Sequence, residues 1–224
     1  MIFGLTIVLA VAVVDWIAVA KGWRKVEILA KPATLVALFL LALVVTGFNS
    51  LPLIFFGLGL LFCLVGDVFL LLSDRWFLAG LVAFLLGHVA YIVGFNLPLP
   101  DVSPVWSIGI AIILALTAGR VLRRILLGLK AKGLQRLVVP VVLYGTVITV
   151  MLLSAMLTML RVDEWKILPS LLVVIGAFLF YISDVILAMN KFVAPIRNGR
   201  LMNMIAYHLG QIALIAGVVI KYVK

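Results

Sequence analysis

The sequence predicts an all-α membrane protein, eight transmembrane helices forming a single domain over 1–224, and three observations carry that expectation. The 224 residues are 67% hydrophobic and 12% charged, whereas about a quarter of a soluble domain is charged. Eight apolar runs each come near the roughly 20 residues that cross hydrocarbon. Finally, the Lys and Arg residues fall almost entirely in alternate connections, the asymmetry that orients membrane helices. With a mean hydropathy of +1.37, such a chain is solvated by lipid.

The runs lie at 1–20, 31–48, 52–73, 76–96, 104–122, 137–160, 167–190 and 201–221. The first lacks a basic n-region and a small-residue cleavage site, so it reads as a span and not as a signal peptide. Pro32, Pro52, Pro104 and Pro169 fall at or near run starts, where a missing N–H costs nothing, and Pro140 sits near the start of the sixth run. The connections after the first, third, fifth and seventh runs hold Lys21, Arg24, Lys25, Lys31, Arg75, Arg120, Arg123, Arg124, Lys130, Lys132, Arg136, Lys191, Arg197 and Arg200. The opposite side holds Arg161, Lys166, Lys221 and Lys224. The basic connections are therefore expected in the cytoplasm and both termini outside it, in a multi-pass protein of the cell membrane.

Net charge is +10, yet the basic residues occupy short loops without interleaved aromatics, which argues against nucleic acid as a partner. The single cysteine, Cys63, lies inside an apolar run and reads as a packing residue.

Against this background the acids stand out. An ionisable group inside a span is costly and by default a functional candidate. Asp15, Asp67 and Asp184 each precede the basic end of a descending run by about six residues, roughly 9 Å at 1.5 Å per residue. Gly66-Asp67-Val68-Phe69-Leu70 parallels Ser183-Asp184-Val185-Ile186-Leu187, and a histidine follows each, His88 after 21 residues and His208 after 24. The parallel predicts two four-helix halves in a parallel pseudo-repeat, with the two aspartates brought together across the bundle.

Plainer roles compete with function. Asp15 beside Trp16 reads as a snorkelling or helix-pairing residue. Tyr91 and Tyr207 serve equally well as interhelical donors. Asp74 and Arg75 read as a solvated loop pair. A structural hydrogen-bond network is the competing account of Asp67 and Asp184. The sharper account is acid–base chemistry, because two carboxyl groups facing each other in a dry pocket share a proton and supply donor and base side by side. A vinyl ether suits such a pair: protonating its alkene carbon gives an oxocarbenium ion that water then attacks. No G-x-S-x-G nucleophile motif is present. A metal held by His88, His208, Asp67 and Asp184 is a minority alternative, since no helical-spacing ligand pair such as H-E-x-x-H occurs.

At these residues the chain resembles the YhhN/TMEM86 family of integral membrane lysoplasmalogenases. The matching features are Lys31-Pro32, Gly66-Asp67, the series Phe77, Gly80, Phe84, His88, Tyr91 and Phe95, then Ser183-Asp184, and Tyr207 with Gln211. The resemblance implies an eight-helix fold, and no cofactor is expected. It also implies hydrolysis of the vinyl ether bond of 1-alkenyl glycerophosphocholine or glycerophosphoethanolamine, with Asp67 and Asp184 catalytic. On this reading His88, Tyr91, Tyr207 and Gln211 position water or the glycerol hydroxyl. Asn203 and His208 support them from the eighth run, and Lys31 holds the lysophospholipid phosphate at the interface. The rivals from other classes are a proton-coupled transporter and a non-catalytic lipid-binding membrane protein.

Overall fold

The computed structural model describes residues 1–223, helical almost throughout and with no strand among them. Lys224, counted above on the less basic side, lies outside the described residues. Among the described residues eight helices are long and apolar enough to cross a bilayer: α1 (Ile2–Lys21), α2 (Arg24–Thr46), α3 (Leu51–Leu71), α4 (Phe77–Phe95), α5 (Pro104–Ala131), α6 (Val138–Leu157), α7 (Ile167–Ala188) and α8 (Gly199–Tyr222). The chain is thus all-α, with the architecture of a multi-pass integral membrane protein.

Three boundaries differ from the hydropathy runs, each for a local reason. Helix α2 starts at Arg24, so Lys31 and Pro32 lie inside it and do not open it. Gly22, at φ 69, ends α1, and α2 begins two residues later, before the apolar run does. Helix α5 runs to Ala131, nine residues past its apolar stretch, because Leu, Arg and Lys continue a helix readily until Gly133 takes a positive φ. Helix α7 gives way to a π-helical turn, Met189–Val193, a distortion common near functional sites.

The connections gather at two ends. At the basic end Arg24 donates to the Leu71 carbonyl, Arg200 reaches Glu27 at 2.7 Å, Lys191 reaches Asp74 at 2.8 Å, and Lys132 donates to the Lys191 carbonyl at 2.9 Å. At the opposite end Arg161 donates to the last carbonyls of α4, at Phe95, over 2.7 Å. Arg161 also pairs with Glu164, which accepts from Lys221 of α8 at 2.7 Å. Burial works against the Glu164 carboxylate, but hydrogen bonds from Lys221 and Arg161 outweigh it and hold its pKa below the ordinary 4.5.

Helix α8 is the most enclosed, and it packs on α7 through glycine. A Cβ on Gly176 would lie 2.7 Å from the Gly210 carbonyl oxygen, and one on Gly210 would lie 2.8 Å from the Phe180 nitrogen. Small residues permit such close backbone approach in membrane bundles. Helix α5 is the reverse: its most apolar stretch contains no buried residue, and only Ile125 and Leu129, near the basic end, are buried.

Candidate active site

Each aspartate of the parallel motifs sits one residue beyond a small one, Gly66 or Ser183, on the face its helix turns to the bundle. Their surroundings differ. Asp67 is 0% exposed. Its Oδ1 lies 3.0 Å from the buried Lys31 Nζ, an ion pair off hydrogen-bond alignment, and its Oδ2 accepts from the Tyr207 hydroxyl at 2.8 Å. Asp184, whose side chain is 14% exposed, accepts from the Tyr144 hydroxyl at 2.5 Å through Oδ2. His88 Nε2 stands 3.0 Å from that hydroxyl and 3.4 Å from the same carboxylate oxygen.

Aromatic rings pack between the two nests. Phe180 lies 4.7 Å from the His88 ring and 5.2 Å from the Tyr207 ring, and Phe84 meets both Phe180 and Tyr207 edge-on. Among the described residues no hydrogen bond joins Asp67 to Asp184. Each carboxyl is held by its own partners, and Phe180 meets a ring of each nest, His88 on one side and Tyr207 on the other. The expectation for Lys31 is corrected, since it turns inward to Asp67 and presents no ammonium to a lipid at the interface.

The supporting residues fall around these nests. Tyr91 donates to Gln211 Oε1 at 2.8 Å, joining α4 to α8. Asn203 donates to the Ser183 carbonyl at 2.6 Å, fixing the backbone one residue before Asp184. His208 belongs to a third cluster: its Nδ1 accepts from Trp16 at 3.1 Å and lies 3.9 Å from Asp15 Oδ2. Asp15 is therefore buried and does not snorkel, and Trp16 serves as a donor to His208 in place of an interfacial belt role. The four members of the metal alternative do not converge. His88 adjoins Asp184, His208 adjoins Asp15, and Lys31 occupies one oxygen of Asp67. Asp74, expected to pair with Arg75, pairs with Lys191.

Asp184 and Tyr144 also form part of the wall of a cavity of about 430 Å³ between α4, α5, α6 and α7. Its remaining wall is almost wholly apolar, including Leu81, Phe84, Leu114, Leu122 and Ile148. The volume falls within the roughly 300–1,000 Å³ of small-molecule sites. Sequence reasoning passed over Tyr144. The signal available was a tyrosine in the apolar run LVVPVVLYGTVIT, the same signal that marked Tyr91 and Tyr207.

The sequence of these elements matches one family description over residues 26–218. The chain belongs to the YhhN family. No curated protein and no solved structure matches it. The YhhN match spans every residue of the Asp67 and Asp184 nests, from Lys31 to Gln211, whereas Asp15 and Trp16 precede it.

Proposed function

We propose that this YhhN-family protein is a lysoplasmalogenase-like hydrolase, cleaving the vinyl ether of a 1-alkenyl lysophospholipid held in the α4–α7 cavity. The observation that carries the reading is Asp184: a carboxyl group with a tyrosine hydroxyl at 2.5 Å, opening onto an apolar cavity. A single alkenyl chain fits such walls, and its ether end would lie against the one carboxyl group that lines them.

In its acid form Asp184 donates a proton to the alkene carbon remote from oxygen. The π bond supplies the electron pair, and the cation left beside the ether oxygen is an oxocarbenium ion. Asp184, now a carboxylate, takes a proton from water as the water oxygen bonds to that carbon. The hemiacetal formed then breaks its C–O bond to the glycerol, whose oxygen leaves with a proton. The balance is one vinyl ether plus one water to one fatty aldehyde plus one glycerol hydroxyl. The same carboxyl acts first as acid and then as base, as in retaining glycoside hydrolysis. Tyr144 orients it, and His88 is within reach to relay protons. Asp67, tied to a fixed ammonium, contributes a permanent buried charge pair that holds Tyr207 against Phe180.

The two nests also support the pseudo-repeat. Each aspartate takes one partner from the helix before it, Lys31 on α2 or Tyr144 on α6, and one from the last helix of the other half, Tyr207 on α8 or His88 on α4. With the basic end in the cytoplasm, both termini lie outside it and both aspartates sit in the inner half of a cell membrane.

The deciding assay is aldehyde release from a 1-alkenyl lysophospholipid by purified protein in detergent. The expected result is turnover by the natural sequence and a loss of at least about 100-fold in Asp184→Asn, the low end of general acid–base contributions, with the melting profile unchanged. Full activity in Asp184→Asn would remove the assignment. Absence of aldehyde, together with proton-driven uptake into vesicles, would favour transport.

A further inference from the structure

We propose that Lys191 and Lys132 form a phosphate subsite at the basic end of the cavity, with Asp74 holding Lys191 in its place while no phosphate is bound. The inference rests on the reading of the cavity as a lipid-chain site and names what receives the head group, a role that Lys31 cannot fill.

At that end the cavity wall contains Phe77 and Phe192, whose rings meet edge-on at 5.7 Å. Lys191 Nζ lies 4.7 Å over the Phe77 ring and 2.8 Å from Asp74 Oδ1. One aromatic ring thus has cavity on one side and an ammonium close by, which marks where an apolar chain must give way to a polar group. The second ammonium is brought in by the backbone. Gly128 of α5 packs so closely on the Phe192 carbonyl that a Cβ there would clash, and Lys132, four residues on, donates to the Lys191 carbonyl at 2.9 Å. A carbonyl neutralises no charge, so the Lys132 ammonium beside the Lys191 backbone keeps its own, and the carboxylate paired with Lys191 is that of the exposed Asp74.

Three cations nearer the Asp67 nest are already paired with carboxylates. Arg24 and Arg200 share Glu27, and Lys31 is buried on Asp67. The spacing is also suitable. Lys191 follows Asp184 by seven residues, about 10 Å along a helix axis, and a lysine side chain reaches back over part of that distance. A glycerol carrying an ether at one terminal carbon and a phosphodiester at the other would then bridge the two residues. Its arrival exchanges the Asp74 carboxylate for a phosphate oxygen on Lys191, without a change in the number of ion pairs.

The experiment uses ligands that cannot be hydrolysed, so it reads binding independently of aldehyde release. Purified full-length protein in detergent is titrated with a saturated 1-O-alkyl glycerophosphocholine and with the matching 1-O-alkylglycerol, which lacks phosphate. Lys191→Gln is expected to weaken the phospholipid about tenfold, in keeping with loss of a charge-assisted hydrogen bond, and to leave the alkylglycerol unchanged. Lys132→Gln should act in the same direction, Lys191→Arg should restore binding, and Asp74→Asn should tighten the phospholipid alone. Equal loss for both ligands, or no loss for either, would overturn the subsite. Displacement of the phospholipid by inorganic phosphate at comparable concentrations would overturn the assignment to a lipid head group. Normal aldehyde release with no phosphate preference would sink the subsite and spare the hydrolase; the reverse result would sink the hydrolase and spare the subsite.

Discussion

The Asp67 and Asp184 nests begin from nearly the same five residues and end in different chemistry. Asp67 is sealed, with an ammonium and a hydroxyl on its two oxygens. Asp184 has a hydroxyl and an imidazole around one oxygen and faces an apolar cavity. On the proposed reading, the difference gives two similar motifs different roles inside a membrane. A carboxylate given a permanent countercharge is a structural anchor, because releasing it would strand a buried ammonium. One surrounded by groups without a fixed charge, and open to a cavity, is free to exchange a proton.

The largest effect that would break this comparison is on stability. Asp67→Asn is expected to cost about 3–5 kcal/mol, since it leaves Lys31 buried without its charge partner. Combining Asp67→Leu with Lys31→Met should recover most of the loss, because a buried pair replaced as a unit by apolar groups is often neutral. Thermal melts in detergent check both, with Asp184→Asn as the variant that should melt normally. Equal melting losses at Asp67 and Asp184 would erase the distinction between anchor and acid.

A smaller effect sharpens the roles of the two tyrosines. Tyr144→Phe is expected to lower kcat about 10-fold or more, the cost of one hydrogen bond to a charged group. Tyr207→Phe should instead lower the melting temperature with little change in kcat. Steady-state aldehyde release, measured beside melting, separates the two.

The smallest effect lies at the far end, where Glu164 links Arg161, bound to the last turn of α4, with Lys221 on α8. These are the helices that supply His88 and Tyr207. Because Glu164 titrates below 4.5 in the folded protein, its contribution is complete above about that pH. It disappears as pH falls through the lowered value, when the unfolded chain binds the proton no later than the folded one does. Glu164→Gln should flatten that part of the acid melting profile. An unchanged profile would show the clamp to be idle.

Much of this arrangement is legible in sequence because membrane burial makes polar residues conspicuous. Asp67, Asp184, His88, Tyr207 and Gln211 each interrupt an apolar run, and each is buried or nearly so. Their pairing is another matter. Lys31 reads as an interfacial residue because the hydropathy run begins beside it; the backbone, released by Gly22, starts the helix a full two turns earlier and carries Lys31 inside. Tyr144 is hidden by its neighbours, since a tyrosine in an apolar run that also holds Thr146 and Thr149 looks like packing. That each aspartate takes its own tyrosine depends on how α6 and α8 approach α7 and α3, which periodicity within single helices does not encode. Trp16 shows the same limit: its position suits an interfacial belt, and only the approach of α8 gives its N–H a partner in His208.

Helix α5 carries one more consequence. Its close contacts at Gly128 and Lys132 lie near the basic end, its apolar stretch is at most half-buried, at residues such as Leu114 and Leu122, and it forms one wall of the cavity. On the proposed reading of the cavity as a lipid-chain site, substrate would enter sideways from the lipid past this thinly covered wall. Turnover would then follow the mole fraction of substrate in the membrane leaflet and not its concentration in the surrounding water, and diluting the substrate with inert lipid would slow the protein even at constant total amount.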